Sequence, residues 1–245
     1  MCPIDATLSD DERYDEWKRI IELIRKEHVG LDWAHYVFRL FREVFNANES
    51  LRQCGGFLLD TIAVMYITHV LMGFRRDMDI QGGTENLINL LYDMKKHANQ
   101  MTRRRFLSSY GDTDETLTRI QNDRFDEWSP LIGHYGPDTD HIDPKRIQAD
   151  IKKLKNAVEN VRLYAERIIS HRTPHDTRLT LSFGEMHSAI HELRKIINWY
   201  YLFLTGGSMG NWEPIPQYDT LKLFFIPWLP DDPTIIKAVR EAIEK

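Results

Sequence analysis

Arg167 and His171 stand four residues apart near the end of a long helical run, with Arg172 and His175 close behind. Residues at that spacing share one face of a helix. A histidine that titrates near neutrality moves protons, and an arginine holds a phosphate or stabilises developing negative charge. Together they are the minimum needed to cleave RNA without a metal. His171 would take the proton of the ribose 2′-hydroxyl or protonate the leaving oxygen, while Arg167 or Arg172 stabilises the phosphorane-like state. His175 adds a second imidazole for binding. The same residue types also suit a helix C-terminus, where they complement the macrodipole. Spacing alone does not separate the two roles.

Two other groupings carry a chemical reading. His187 and His191 lie one helical turn apart, with Glu185 and Glu192 nearby, so they offer two imidazoles and a carboxylate to a zinc ion. Their plain reading is a solvated polar face, and no His-Glu-x-x-His is present. Arg76 and Asp79 form an Arg-x-x-Asp run that could receive a phosphate or an acidic partner, with Arg103, Arg104 and Arg105 as companions. Their plain reading is a charged helix end holding internal ion pairs. The glycine pairs Gly55-Gly56, Gly82-Gly83 and Gly206-Gly207 lack the strand-loop-helix setting and Lys-Ser/Thr signature of a phosphate-binding loop. No cofactor is called for.

The elements that must position these residues are helical. Ser9 with Glu12 makes a capping box, after which Trp17, Ile20, Ile21 and Ile24 mark one apolar face. Gly30 is expected to end or bend this helix. A second helix would then turn Trp33, Tyr36, Val37, Leu40, Phe41, Val44 and Phe45 inward. Residues 49–77 open on a polar turn and become apolar on nearly every side, as a central bundle helix should. Thr84 is expected to cap the run of Leu87, Leu90, Leu91 and Met94. Residues 101–143 are the least regular stretch and read as an insertion holding a short helix over 114–128. Asp143 caps, and Pro144 starts, a long helix reaching about His171. A last core helix spans 184–204, Gly206-Gly207 stops it, and a Pro- and Trp-rich tail with a terminal helix over 234–244 follows.

Composition sets the limits. A net charge of -5 over 245 residues excludes a generic basic coat that grips nucleic acid through bulk charge. Two cysteines cannot build a disulfide framework, which suits a reducing cytoplasm. The first residues lack a basic leader and an apolar run, so no export signal is expected. Residues 57–74 are the most apolar, but Asp60, Thr61, Thr68 and His69 interrupt them. That stretch reads as a helix buried in protein, with no membrane partner.

At the long helix and its loop the sequence resembles a known family. Residues 161–172, ending in Ser170-His171-Arg172, then Leu179-Thr180-Leu181-Ser182-Phe183-Gly184-Glu185, then Trp199-Tyr200-Tyr201-Leu202-Phe203-Leu204-Thr205-Gly206, are similar to the abortive-infection (AbiU-type) branch of the HEPN superfamily. The aromatic-rich residues 33–45, the apolar helix after them and Arg76-Asp77-Met78-Asp79 are similar too. The likeness covers about residues 31–206, with the middle fitting worst. It implies an all-α, antiparallel up-and-down helical bundle with a long irregular insertion (about 100–143) and a C-terminal tail (207–245).

The resemblance also implies a homodimer that pairs through its motif-bearing helices. In active members an Arg and a His from each protomer line a shared cleft and cut RNA without metal, often beside an antitoxin protein. Here the Arg positions counted back from His171 hold Glu166, Ala165 and Tyr164, and Arg167 lies one residue closer. The family's non-catalytic members imply a second role, docking a protein partner through Arg76 and the aromatic tail around Trp212, Tyr218 and Trp228.

Overall fold

The computed structural model describes residues 4–5, 7–80, 83–111, 114–128, 140–165, 181–207, 214–228 and 231–243. Those residues are mainly helical, with no strand among them beyond an isolated bridge between Thr102 and His141. Two compact units divide the chain, the first through Glu213 and the second from Pro214. The second holds two short helices, α8 (Lys222–Phe225) and α9 (Pro233–Ile243). Ile215, Tyr218, Phe225, Ile226 and Trp228 are exposed on it.

The first unit is built on α1 (Asp10–Ala47). Ser9 accepts from the Glu12 backbone while Glu12 reaches back to Ser9, so two orphan donors of the first turn are satisfied at once. Hydrogen bonds from both the side chain and the backbone of Ser9 hold the Glu12 carboxyl below its usual range.

Gly30 neither ends nor bends this helix. It sits at an exposed position of one continuous 38-residue element. The inward phase therefore continues unbroken from Ile24 through His28, Leu31, His35, Phe38 and Phe45, leaving Trp33 and Val37 exposed. Restarting the helix at Trp33 puts the wrong residues inward, because each residue turns the face by about 100°.

Two helices in tandem run antiparallel to α1. Against its C-terminal half lies α2 (Glu49–Asp77), capped by the Asn48 side chain. A Cβ on Gly73 would press against Leu31, and one on Gly55 would sit 2.7 Å from the Phe45 ring. Both glycines thus allow close approach of the two helices. Farther along α1 lies α3 (Leu87–Lys96), capped by Asn86 rather than Thr84. Arg13 and Trp17 of α1 both hydrogen-bond Asp93 there.

The break between α2 and α3 is organised by the Asp79 carbonyl. It accepts from the Asn86 side chain at 2.6 Å and from Asn89 at 3.1 Å. Asn86 is the better cap here because its amide also closes this turn.

The bundle is completed by α6 (Pro144–Tyr164) and α7 (Phe183–Thr205), which are antiparallel to each other. Asn160 bonds Glu185 at 3.1 Å, Lys153 pairs with Glu192 at 2.8 Å, and Tyr200 donates to Asp150 at 3.1 Å. Asp143 caps α6 with Pro144 at its start. A capping box of Ser182 and Glu185 starts α7, and Gly206 at φ 67 stops it. Asp32 of α1 is buried and paired with Arg194 of α7. Four columns result: α1, the α2–α3 tandem, α6 and α7.

Two smaller helices, α4 (Arg103–Ser108) and α5 (Glu115–Trp128), come from the stretch read as an insertion. They are part of the core. Phe106, Phe125 and Trp128 are buried and pack on Phe203 of α7. Arg103 links the two by pairing with Asp140 and Asp126 while its guanidinium covers the Phe125 ring. Polar sequence concealed these few large anchors, since one buried aromatic side chain contributes ~2–3 kcal/mol.

By length and composition, residues Gly55–Asp77 could cross a membrane. Their inner face instead joins the bundle, with Tyr66, Val70, Leu71 and Phe74 buried. The helix is not enclosed on all sides, however. Phe57, Leu58, Val64, Met65 and Met72 lie exposed along its outer face.

Candidate functional site

The nucleus of a site lies where the C-terminal half of α1, the middle of α2 and the first turns of α7 converge. His35 Nδ1 is 2.9 Å from the Tyr66 hydroxyl. The rings of His35 and His187 meet edge to face, with centroids 4.6 Å apart. Phe38 stacks on Tyr66 at 4.6 Å and on Phe183 at 5.3 Å, walling one side. Two histidines, a tyrosine and two phenylalanine faces are thereby held by three different helices.

The local sequence explains this convergence. His28, Leu31, His35 and Phe38 recur at spacings of three and four on α1's inner face. On α7, Phe183 and His187 are four apart, and the capping box fixes their entry into the bundle. His35 and Tyr66 then meet because the glycine contacts let α1 and α2 lie close.

Electrostatics set the protonation states. Burial pushes the Tyr66 hydroxyl well up, so it keeps its proton. Burial also holds His187 below the usual imidazole range, and the positive charge of Arg42 adds to the effect. Its Nε2 is buried, with no hydrogen-bond partner among the described residues. At neutral pH His187 is therefore an uncharged imidazole with an arginine in its field. A neutral imidazole offers one ring nitrogen as a hydrogen-bond acceptor, while Arg42 is itself paired with Glu43 at 2.9 Å.

A small pocket adjoins this cluster, lined by Ile67, Tyr164, Leu181, Ser182, Phe183 and Met186. Tyr164 and Leu181 in its walls lie on either side of residues 166–180 in the chain. The chain leaves the described residues after Ala165 and returns at Leu181. Arg167, His171, Arg172 and His175 lie between, outside the described residues.

The remaining sequence candidates are accounted for by local contacts. Arg76 is half-exposed and pairs with Glu27 of α1 at 3.0 Å. Asp79 serves the α2–α3 break through its backbone carbonyl. Between them, Asp77 is buried against His28 at 2.8 Å, a pairing the sequence reading did not include. His187 faces His35, whereas His191 is exposed on α7. Among the described residues no three His, Cys, Asp or Glu side chains gather to hold a metal ion. His35, Tyr66 and Arg42 went unread as site residues. The available signal was the seven-residue spacing of His28 and His35 on the apolar face of α1.

No curated protein and no solved structure matches the chain. A family match does exist, to the HEPN AbiU2 family (AbiU2), over residues 14–222. It takes in all four columns of the bundle, the core helices α4 and α5, and the segment carrying Arg167 and His171. With an all-helical bundle and a match across most of its length, the chain belongs to the HEPN AbiU2 family.

Proposed function

We propose that this protein is a HEPN-type abortive-infection effector that binds RNA or a nucleotide at a cleft shared by two copies, and cuts RNA there without metal. The family supports the defence role at the coarse level. The observation that supports the finer reading is one pocket lined by Tyr164 and Leu181, which stand on either side of residues 166–180 in the chain, beside His35, Tyr66 and His187.

In this reading the ribose 2′-oxygen bonds to phosphorus and the bond to the 5′-oxygen breaks. His171 takes the 2′ proton and returns one to the leaving oxygen, while Arg167 or Arg172 holds the phosphate charge. His175 binds beside them. An antitoxin protein is the expected partner.

The test is a purified chain incubated with a mixed RNA pool in EDTA. Fragmentation that His171→Ala abolishes is expected, with Arg167→Ala and Arg172→Ala slowing it. RNA left intact by the unaltered protein would defeat the nuclease reading.

One observation favours a second, non-catalytic reading as a docking module. Tyr218 and Trp228 are 78% and 58% exposed in the C-terminal unit, where they offer aromatic anchors to a partner protein. Retained binding of an antitoxin by a His171→Ala variant, but not by Trp228→Ala, would support it.

A further inference from the structure

Lysines collect along one seam of the bundle, where α3 and α6 lie side by side. On α6, Lys145, Lys152 and Lys155 stand with Gln148 at spacings of three and four, so one face carries them. On α3, Lys95 and Lys96 sit in the last turn. Two contacts bridge the seam. Lys95 Nζ donates to Gln148 Oε1 at 2.6 Å, and Lys155 Nζ donates to the Tyr92 hydroxyl at 2.7 Å. Lys96, Lys145 and Lys152 are exposed, while Lys95 and Lys155 are half-buried.

The charge balance here departs from the rest of the chain, whose net charge is -5. None of the five lysines meets a carboxylate among the described residues. The nearby carboxylates are already engaged. Asp143 caps α6, Asp150 bonds Arg146 and Tyr200, Glu159 pairs with Arg162, and Asp93 is buried against Arg13. Elsewhere pairing is the habit: Lys153 and Lys195 share Glu192, and Arg19 takes both Glu16 and Glu85. From Lys145 to Lys155 the row covers ~15 Å of helix axis. Like charges this close repel until an anion covers them.

The residue types say which anion. Lysine is a compact point charge on a flexible stem, suited to phosphate oxygens and blind to base identity. Protein interfaces are instead depleted in lysine and centred on aromatic or apolar anchors. Between its charges, α6 exposes only Gln148, Ala149, Asn156 and Asn160 after Pro144. That face also lacks the large apolar side chains an interfacial helix sinks into lipid.

We infer that the α3–α6 seam is a track for the phosphate backbone of single-stranded RNA, gripped without regard to sequence. The track rests on the RNA reading above for its ligand, and adds to it a site outside the His171 segment that selects long strands. From Lys145 to Tyr164, where α6 reaches the pocket, the helix covers ~28 Å, or ~8 nucleotides at ~3.4 Å each. Shorter strands reach only one end.

Binding is read with a fluorescent 2′-O-methyl RNA of about 20 nucleotides, which has no free 2′-hydroxyl and is not cut by this chemistry. Five lysine–phosphate contacts give a log–log salt slope of about -3.5. Lys145→Gln, Lys152→Gln and Lys155→Gln together should make that slope shallower, about -1.4, and weaken binding on the order of 100-fold at about 0.1 M salt. A matched triple on α1, α8 and α9, Lys26→Gln, Lys222→Gln and Lys237→Gln, removes the same charge and should leave both nearly unchanged. Helical circular dichroism should be the same for both triples.

Equal losses from the two triples would overturn the track, because bulk charge would then account for the binding. So would failure of the unaltered chain to bind the 2′-O-methyl strand, or tighter binding to polyglutamate or to phosphatidylserine vesicles. Cutting is read separately, on unmodified RNA. A chain that grips the strand through these lysines but leaves RNA intact sinks the nuclease reading alone. One that cuts RNA yet binds equally after either triple sinks the track alone.

Discussion

His35 and His187 meet edge to face at 4.6 Å, bringing the first and last columns of the bundle together at one pair of imidazoles. Burial, with the charge of Arg42, holds His187 below its usual value of about 6.5. His97 is lowered in the same direction by burial and by Arg13. For both, the unfolded chain takes up the proton at a higher pH than the folded chain does. Their contribution to stability is complete above about pH 6.5 and is lost as pH falls through the window below it. The urea midpoint should therefore drop between pH 7.5 and pH 5.5, and His187→Phe should flatten that drop. A variant as pH-sensitive as the parent would refute the assignment.

Arg13 and Asp93 form a fully buried ion pair at 3.1 Å, and Trp17 Nε1 donates to the same carboxylate at 2.8 Å. Removing one partner strands the other charge in the core. Asp93→Ala should cost about 3–5 kcal/mol in denaturant unfolding. The double variant Arg13→Met, Asp93→Leu should recover most of that loss, because no buried charge remains. A double variant as unstable as the single one would show that the pair itself holds α1 to α3.

Gly206 and Gly30 should respond in opposite directions to alanine. Gly206 ends α7 at φ 67, and a Cβ there would fall 2.4 Å from the Ser109 carbonyl oxygen. Gly206→Ala should lower stability by roughly 1–3 kcal/mol, through backbone strain and displacement of α4. Gly30 lies mid-helix with open space around it. Gly30→Ala should raise stability by about 0.5–1 kcal/mol. Thermal melts of the two variants decide both.

Ser182 caps α7 at the wall of the pocket. Ser182→Ala should cost about 1 kcal/mol, and hydrogen exchange should rise at the first turn of α7 before the rest of the helix. Uniform loss of protection along α7 would show that the cap does not act locally. Both the backbone and the side chain of Ser182 hold the Glu185 carboxyl below its ordinary range. The cap's contribution therefore fades as pH falls through that carboxyl's lowered value.

Much of the fold was legible because helix ends carry local chemistry. Ser9 with Glu12, Asp143 with Pro144, and Gly206 each mark a boundary through groups within a few residues of one another. The misreadings came where a local rule met a tertiary decision. Gly30 looks like a stop, yet α2, α3 and α7 pack along the whole length of α1 and outweigh its ~1 kcal/mol penalty. Residues 101–128 look like an excursion, yet Phe106, Phe125 and Trp128 anchor them on α7. Of the buried cluster, the sequence singled out one member, His187, and only as a possible metal ligand, while the segment around His171 lies outside the described residues. The sequence missed His35 and Tyr66, whose partnership needs two helices at a particular crossing.

The sequence by itself determined a helical class, most helix ends and a family likeness. Those properties are written at separations of three, four and seven residues, or in motif order, so no knowledge of packing is needed to see them. Only the tertiary structure decided that α2 and α3 share one column, that Asp93 neutralises Arg13, and that His35 meets Tyr66 and His187. These contacts join residues 31 to 152 positions apart, and burial makes each partner's identity matter: in a low-dielectric interior an unmatched polar group is costly. The same packing that buries Tyr66, Val70, Leu71 and Phe74 on the inner face of α2 leaves Phe57, Val64, Met65 and Met72 exposed on its outer face.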